Sequence, residues 1–170
     1  MNDDIKYIYD HNGIPNAYIE EGGKKYRVRV ETLILKGKDK VLLYKTGKKD
    51  QYNRLYKIPG GSTEPRLSLE DVAEKECREE VRVNIKNLTF RGRVKMLYDT
   101  IPKWQKEILW PLGLDCIGVI IFIYIATYDS KYNGDIDEND RDDNMYNNSK
   151  FYSIEDPIIS TEHRIVLENI

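Results

Sequence analysis

Between Gly60 and Val83 the chain reads GGSTEPRLSLEDVAEKECREEVRV, a glycine turn followed by a helix whose acids are badly placed for helix stability alone. Ser68 can cap the first turn with Asp71 three residues on, and neither Gly nor Pro interrupts the run before Gly92. At about 100° per residue, Leu69, Val72, Ala73, Cys77 and Val81 form one apolar face. Glu76, Glu79 and Glu80 lie along an edge of that same face, spaced i,i+3 and i,i+4, so the three carboxylates are neighbours turned partly inward. They repel one another and stand in the last turns, where the helix dipole disfavours anions by about 0.3–1 kcal/mol each. A solvated acidic face is the commoner origin of such runs, but Glu70, Glu74, Lys75, Arg78 and Arg82 already supply the polar side. Clustered, partly buried carboxylates call for a compensating hard divalent cation, Mg²⁺ or Mn²⁺.

The same stretch resembles the Nudix box, G-x5-E-x7-R-E-U-x-E-E-x-G-U with U a bulky apolar residue, and matches it without a gap. Gly61 takes the first position, Glu76 the acid of the R-E pair, Cys77 the first U, Glu79 and Glu80 the E-E pair and Val83 the closing U. Leu67, Lys75 and Arg82 depart from it, standing where the box has Glu, Arg and Gly. The resemblance implies an α/β fold of the Nudix type, an α/β/α sandwich with a mixed sheet between the box helix and a C-terminal helix. It also implies metal-dependent hydrolysis of a nucleoside diphosphate linked to another moiety X. On matching positions a carbonyl of the glycine pair, that of Gly60, is a metal ligand, and Glu64 occupies a further acidic position often seen in the family. Lys75 replaces an Arg that orients the neighbouring Glu, as a point charge without a planar fork.

From these residues the expected cation ligands are Glu79, Glu80, Glu76 and the Gly60 carbonyl, with Glu76 as ligand or base. A second base outside the box has three candidates, Glu107, Asp115 and Glu155. Substrate contacts are expected upstream. Residues 24–57 carry twelve Lys or Arg against three acids, a local +9 in a chain of net charge −2. Arg27 and Arg29 share one strand face in the alternating YRVRV run, and Arg54 precedes the glycine turn, so these three are the expected phosphate readers, with Glu64 also on the substrate side. Lys36, Lys38, Lys48 and Lys49 read as solvated lysines. Trp104 and Trp110, on a proline-containing stretch from Asp99 to Asp115, can stack a base or anchor packing.

A chain of 170 residues, 40% hydrophobic, suits a single domain with its own core. Residues 1–23 read as a hairpin or arm, and 128–149 as an acidic mobile loop, with seven acids against two bases over 129–143. Asp135, Asp137 and Asn139 resemble the opening of a calcium-binding EF-hand loop, but Asp140 stands where that loop needs Gly. Further strands are expected at Asn84–Phe90, Arg93–Tyr98, Ile117–Ala126 and Lys150–Ile154, and a closing helix after Ser160. Cys77 and Cys116 read as reduced core thiols of a cytoplasmic protein, and no apolar run reaches the ~20 residues of a membrane span. Two isolated histidines without a Cys or Ser partner motif give no case for nucleophilic catalysis. The expected partner is a nucleotide-like small molecule. An RNA 5′ end is an alternative substrate, a non-catalytic nucleotide-binding module is the alternative function, and a homodimer is compatible with both.

Overall fold

The computed structural model describes residues 4–47, 54–137 and 143–168. Lys48, Lys49, Asn139 and Asp140 therefore lie outside the described residues. The centre of the molecule is a parallel pair, β3 (Lys24–Lys36) and β8 (Gly118–Lys131), in register from Tyr26 opposite Gly118 to Leu35 opposite Thr127. Nine of the fourteen residues of β8 are buried in one run, which is how a strand covered on both faces reads. Around this pair β4 (Lys40–Lys45) returns antiparallel from a turn at Gly37, and β7 (Val83–Leu97) pairs antiparallel with the far side of β8. β1 (Lys6–Tyr9) and β2 (Pro15–Glu21) extend the sheet from the first half of β3. β5 (Tyr56–Lys57) lies on β4, β6 (Gly60–Ser62) on the middle of β3, and β9 (Ser149–Ser153) on β4.

The two-residue period of β3 sorts the core into two layers. Tyr26, Val28 and Val30 pack with Leu69, Val72 and Ala73 of helix α1 (Leu69–Val81) on one face. Leu33 and Leu35 pack with Ile121, Ile159 and Leu167 on the other, under helix α3 (Thr161–Glu168). The mixed sheet thus lies between the box helix and the C-terminal helix. Arg27, Arg29 and Glu31 belong by alternation to the α3 side.

Two local expectations are corrected. The two strand segments after α1 are one strand, because bulges at Asn84/Ile85, Lys86/Thr89 and Phe90/Gly92 absorb the irregular pattern without ending the pairing. The stretch 128–149 is not a loop throughout. Pairing of Val83 with Lys131 carries β8 to Lys131, and Asp143–Asn147 forms a short helix, α2, whose Tyr146 ring lies under the Arg82 guanidinium at 4.3 Å. Between β7 and β8, Gln105–Leu109 forms a π-helical turn and Trp110–Leu112 a 3₁₀ turn, anchored by buried Leu109, Leu114 and Cys116. Both thiols are free and buried; burial pushes Cys77 up, and Cys116 up to about 12. Among the described residues no helix is long and apolar enough to cross a membrane.

Candidate active site

Helix α1 begins as its sequence dictates, with the Asp71 amide donating to Ser68 Oγ at 3.0 Å and Leu69, Val72, Ala73, Cys77 and Val81 buried. Glu80 is buried with them, and Glu76 and Glu79 are half-buried at the edge. What lies against these acids is the glycine pair of β6. The Gly60 amide donates to Glu80 Oε1 at 2.7 Å. A Cβ on Gly60 would stand 2.5 Å from the Val30 carbonyl and 2.8 Å from Glu31 Cγ, and one on Gly61 would collide with the Glu76 carboxyl. Gly60 therefore excludes any side chain, because backbone stands in the way, while a side chain at Gly61 would displace the Glu76 carboxyl; Glu76 and Glu80 close on this bare backbone. Lys75 Nζ lies 4.0 Å from Glu79 Oε1, one helical turn away.

All the donors here are hard oxygens, three carboxylates and a main-chain carbonyl, the kind that suits Mg²⁺ or Mn²⁺. As they stand they are not drawn into a closed coordination shell. Among the described residues no three acidic, His or Cys side chains are gathered tightly enough to hold an ion, and Glu80 is directed at the Gly60 amide. Burial first and the Glu80 charge next push the Tyr44 phenol above its usual range.

Of the expected basic readers, Arg29 is adjacent to the glycine pair. Its Nη2 lies 3.1 Å from the place a Gly60 Cβ would occupy, and its Nε 3.7 Å from Glu31 Oε2. Arg27, two residues back on the same face, lies over the Trp104 indole at 4.9 Å. Arg54 departs from the expectation that it meets substrate phosphate. It is buried, and its two terminal nitrogens are each 3.2 Å from the two oxygens of Glu31. Glu64 is half-buried in the turn before α1, where its carbonyl accepts from Leu67 at 3.3 Å. The three candidate bases outside the box, Glu107, Asp115 and Glu155, are all exposed, and Glu107 and Asp115 pair with Lys103 and Lys25.

Two residues that sequence reasoning passed over meet at this site. Glu31 is 1% exposed and receives Arg54, Arg29 and, at 2.9 Å, His163 Nε2 from α3. Burial alone would raise its carboxyl. The Arg54 charge, the His163 hydrogen bond and charge, and Arg29 outweigh burial and hold it well below the usual carboxylate range. The only local hint was one acid on the strand face that otherwise carries Arg27 and Arg29.

The NUDIX domain model matches residues 25–167. No curated protein sequence matches the chain. Among solved structures, a MutT NUDIX hydrolase from Burkholderia pseudomallei is 18% identical with a TM-score of 0.54, over 85% of this chain and 97% of that one. A NUDIX hydrolase from Nitrosomonas europaea is 14% identical with a TM-score of 0.53, over 85% and 88%. The C. elegans Ap4A hydrolase is 15% identical with a TM-score of 0.50, over 83% and 92%. At these identities the structures show a shared fold. The domain match, spanning most of the chain and including the glycine pair and all three helix carboxylates, shows that the chain belongs to the NUDIX family.

Proposed function

We propose that the chain hydrolyses a diphosphate linkage in a nucleoside diphosphate joined to another moiety, using Mg²⁺ or Mn²⁺. The observation that carries this reading is the packing of Glu76 and Glu80 against Gly61 and Gly60, with Glu79 beside them on the same helix edge and Arg29 alongside. Glu79, Glu80 and the Gly60 carbonyl hold the cation, and Glu76 completes the set as ligand or base. When bound, the cation polarises the phosphate and lowers the pKa of an attacking water. Lys75 steadies Glu79, and Arg29 and Arg27 draw the substrate's phosphates towards a cluster that would otherwise repel them. Glu64 borders the approach to the glycine turn. Arg54 serves the site from within, through Glu31.

The test is a substrate panel with Mg²⁺ and with Mn²⁺: nucleoside triphosphates, ADP-ribose, nucleotide sugars, dinucleoside polyphosphates and 5′-capped or triphosphorylated RNA. Cation-dependent release of a nucleoside monophosphate or diphosphate from one class is the expected result. Binding of several nucleotides without turnover of any would make the chain a binding module that has lost hydrolysis.

A further inference from the structure

Glu31 is a buried charge with three charged or titratable partners, Arg54, Arg29 and His163. A buried ion pair rarely adds stability over apolar residues of the same volume, so stability alone gives no reason for a Glu here. Its placement does. The segment from Arg54 to Gly60 is fastened to this one residue at both ends. Arg54 grips the Glu31 carboxylate with two hydrogen bonds, and Gly60 pairs with the Glu31 main chain in the β3–β6 ladder. Between them the Pro59 carbonyl accepts from the Thr32 amide at 3.0 Å. Gly60 in turn donates to Glu80.

The third partner comes from the other layer. An ionised carboxylate only accepts, so His163 Nε2 donates to Glu31 at 2.9 Å, and its Nδ1 lies 2.9 Å from the Ser160 hydroxyl. Ser160 stands at the start of α3 and His163 in its first turn, so the C-terminal helix is keyed to the residue that holds the glycine strand. We propose that Glu31 is a positioning residue for the metal site, fixing the Gly60 carbonyl and the Glu80 carboxylate through Arg54 and the β3–β6 pairing, with His163 coupling that arrangement to α3. This rests on the cation-site reading above. Residues that orient metal ligands from behind typically change metal affinity by about 10–100-fold when removed.

The metal-free protein is titrated with Mn²⁺, free ion being followed by electron paramagnetic resonance, in the wild type and in Glu31→Gln, Arg54→Lys, His163→Gln and Glu80→Gln, with thermal unfolding measured on each. Leu114→Ala, in the buried cluster with Leu109 and Cys116 that holds none of Glu31, Arg54 and His163, is the control for stability loss alone. The expected result is Mn²⁺ binding about tenfold weaker or more in Arg54→Lys and His163→Gln, with both still folded, while Leu114→Ala lowers Tm and leaves Mn²⁺ affinity at the wild-type value. Arg54→Lys and His163→Gln decide the matter even where Glu31→Gln does not fold. Wild-type Mn²⁺ affinity in both of them, beside a wild type that binds and a Glu80→Gln that does not, overturns the positioning role and leaves the cation site standing. A wild type that fails to bind Mn²⁺, or a Glu80→Gln that binds it equally, overturns both.

Discussion

Glu80 Oε1 accepts the Gly60 amide across 2.7 Å, so an acid of the box helix is already fastened to the strand whose carbonyl is the proposed ligand. A glutamine at position 80 keeps an oxygen for that amide and removes one of three neighbouring negative charges. Glu79→Gln and Glu80→Gln should therefore abolish cation-dependent hydrolysis, while Tm without metal holds or rises. Wild-type rates in both variants would sink the assignment.

Lys75 reaches Glu79 at 4.0 Å, long for a hydrogen bond and typical of a flexible ammonium acting as a charge. A guanidinium at the same place can bind a carboxylate with two parallel hydrogen bonds. Lys75→Arg should raise kcat by a few-fold with little change in stability. A fall in kcat at unchanged Tm would mean that the site has been rebuilt around lysine.

What could be read in advance was what chain-local chemistry encodes. The Ser68 cap, the apolar stripe ending at Val81 and the inward drift of Glu76, Glu79 and Glu80 are all spaced within one helix, and the structure places them as their spacing dictates. The strand β8 was legible over 117–126 because a short, β-branched apolar run reads as a doubly covered strand, and its continuation to Lys131 was not. The Glu31–His163 contact joins residues 132 positions apart and follows from which face of β3 meets α3, which no local pattern specifies. The partner of Arg54 was hidden for the same reason. Beside a glycine turn, a basic residue looks like a phosphate ligand, and only the packed sheet reveals a buried acid opposite it. The bulges of β7 hid a single strand behind what looked like two.

Arg82 closes α1 in the left-handed region, at φ 53° and ψ 50°, with its amide donating to the Arg78 carbonyl at 3.1 Å. A side chain there costs about 1–2 kcal/mol relative to Gly, the residue of the family box. Stacking on Tyr146 offsets about 0.5–1 kcal/mol of this. Arg82→Gly should thus lie within about 1 kcal/mol of wild type in denaturant unfolding. In a Tyr146→Ala background, where the stack is already gone, the same change should stabilise by about 1 kcal/mol. Destabilisation by Arg82→Gly in both backgrounds would mean that the arginine has a larger role than capping.

Glu31 gives the fold a defined acid sensitivity. Its folded-state carboxyl titrates below the unfolded value of about 4.3, so its pairing with Arg54 and His163 contributes fully above about pH 5. That contribution is lost as pH falls through the unfolded value towards the depressed one. Glu31→Gln leaves Arg54 buried without its counter-charge and should cost about 3–5 kcal/mol at neutral pH. Between pH 5 and pH 3 the wild type should lose stability faster than the variant, so that their unfolding curves converge. Parallel pH profiles would show that Glu31 is not ionised in the folded protein.

Arg27 and Arg29 share a strand face, but their surroundings assign them unequal weight. Arg29 is about one-third exposed and adjoins Gly60, where an incoming phosphate would displace the water around it. A charge-assisted contact made there is worth about 1.5–3 kcal/mol. Arg27 is half-buried as well, but it lies over the Trp104 indole, one strand repeat further from the carboxylates. With the cation saturating, Arg29→Ala should lower kcat/KM about tenfold or more, and Arg27→Ala should act mainly through a several-fold rise in KM. Half-buried charges are screened less than surface ones, so both effects should persist between 50 and 500 mM salt. Unchanged kinetics for both variants across that range would return the basic strand to a solvated face and move phosphate recognition elsewhere in the site.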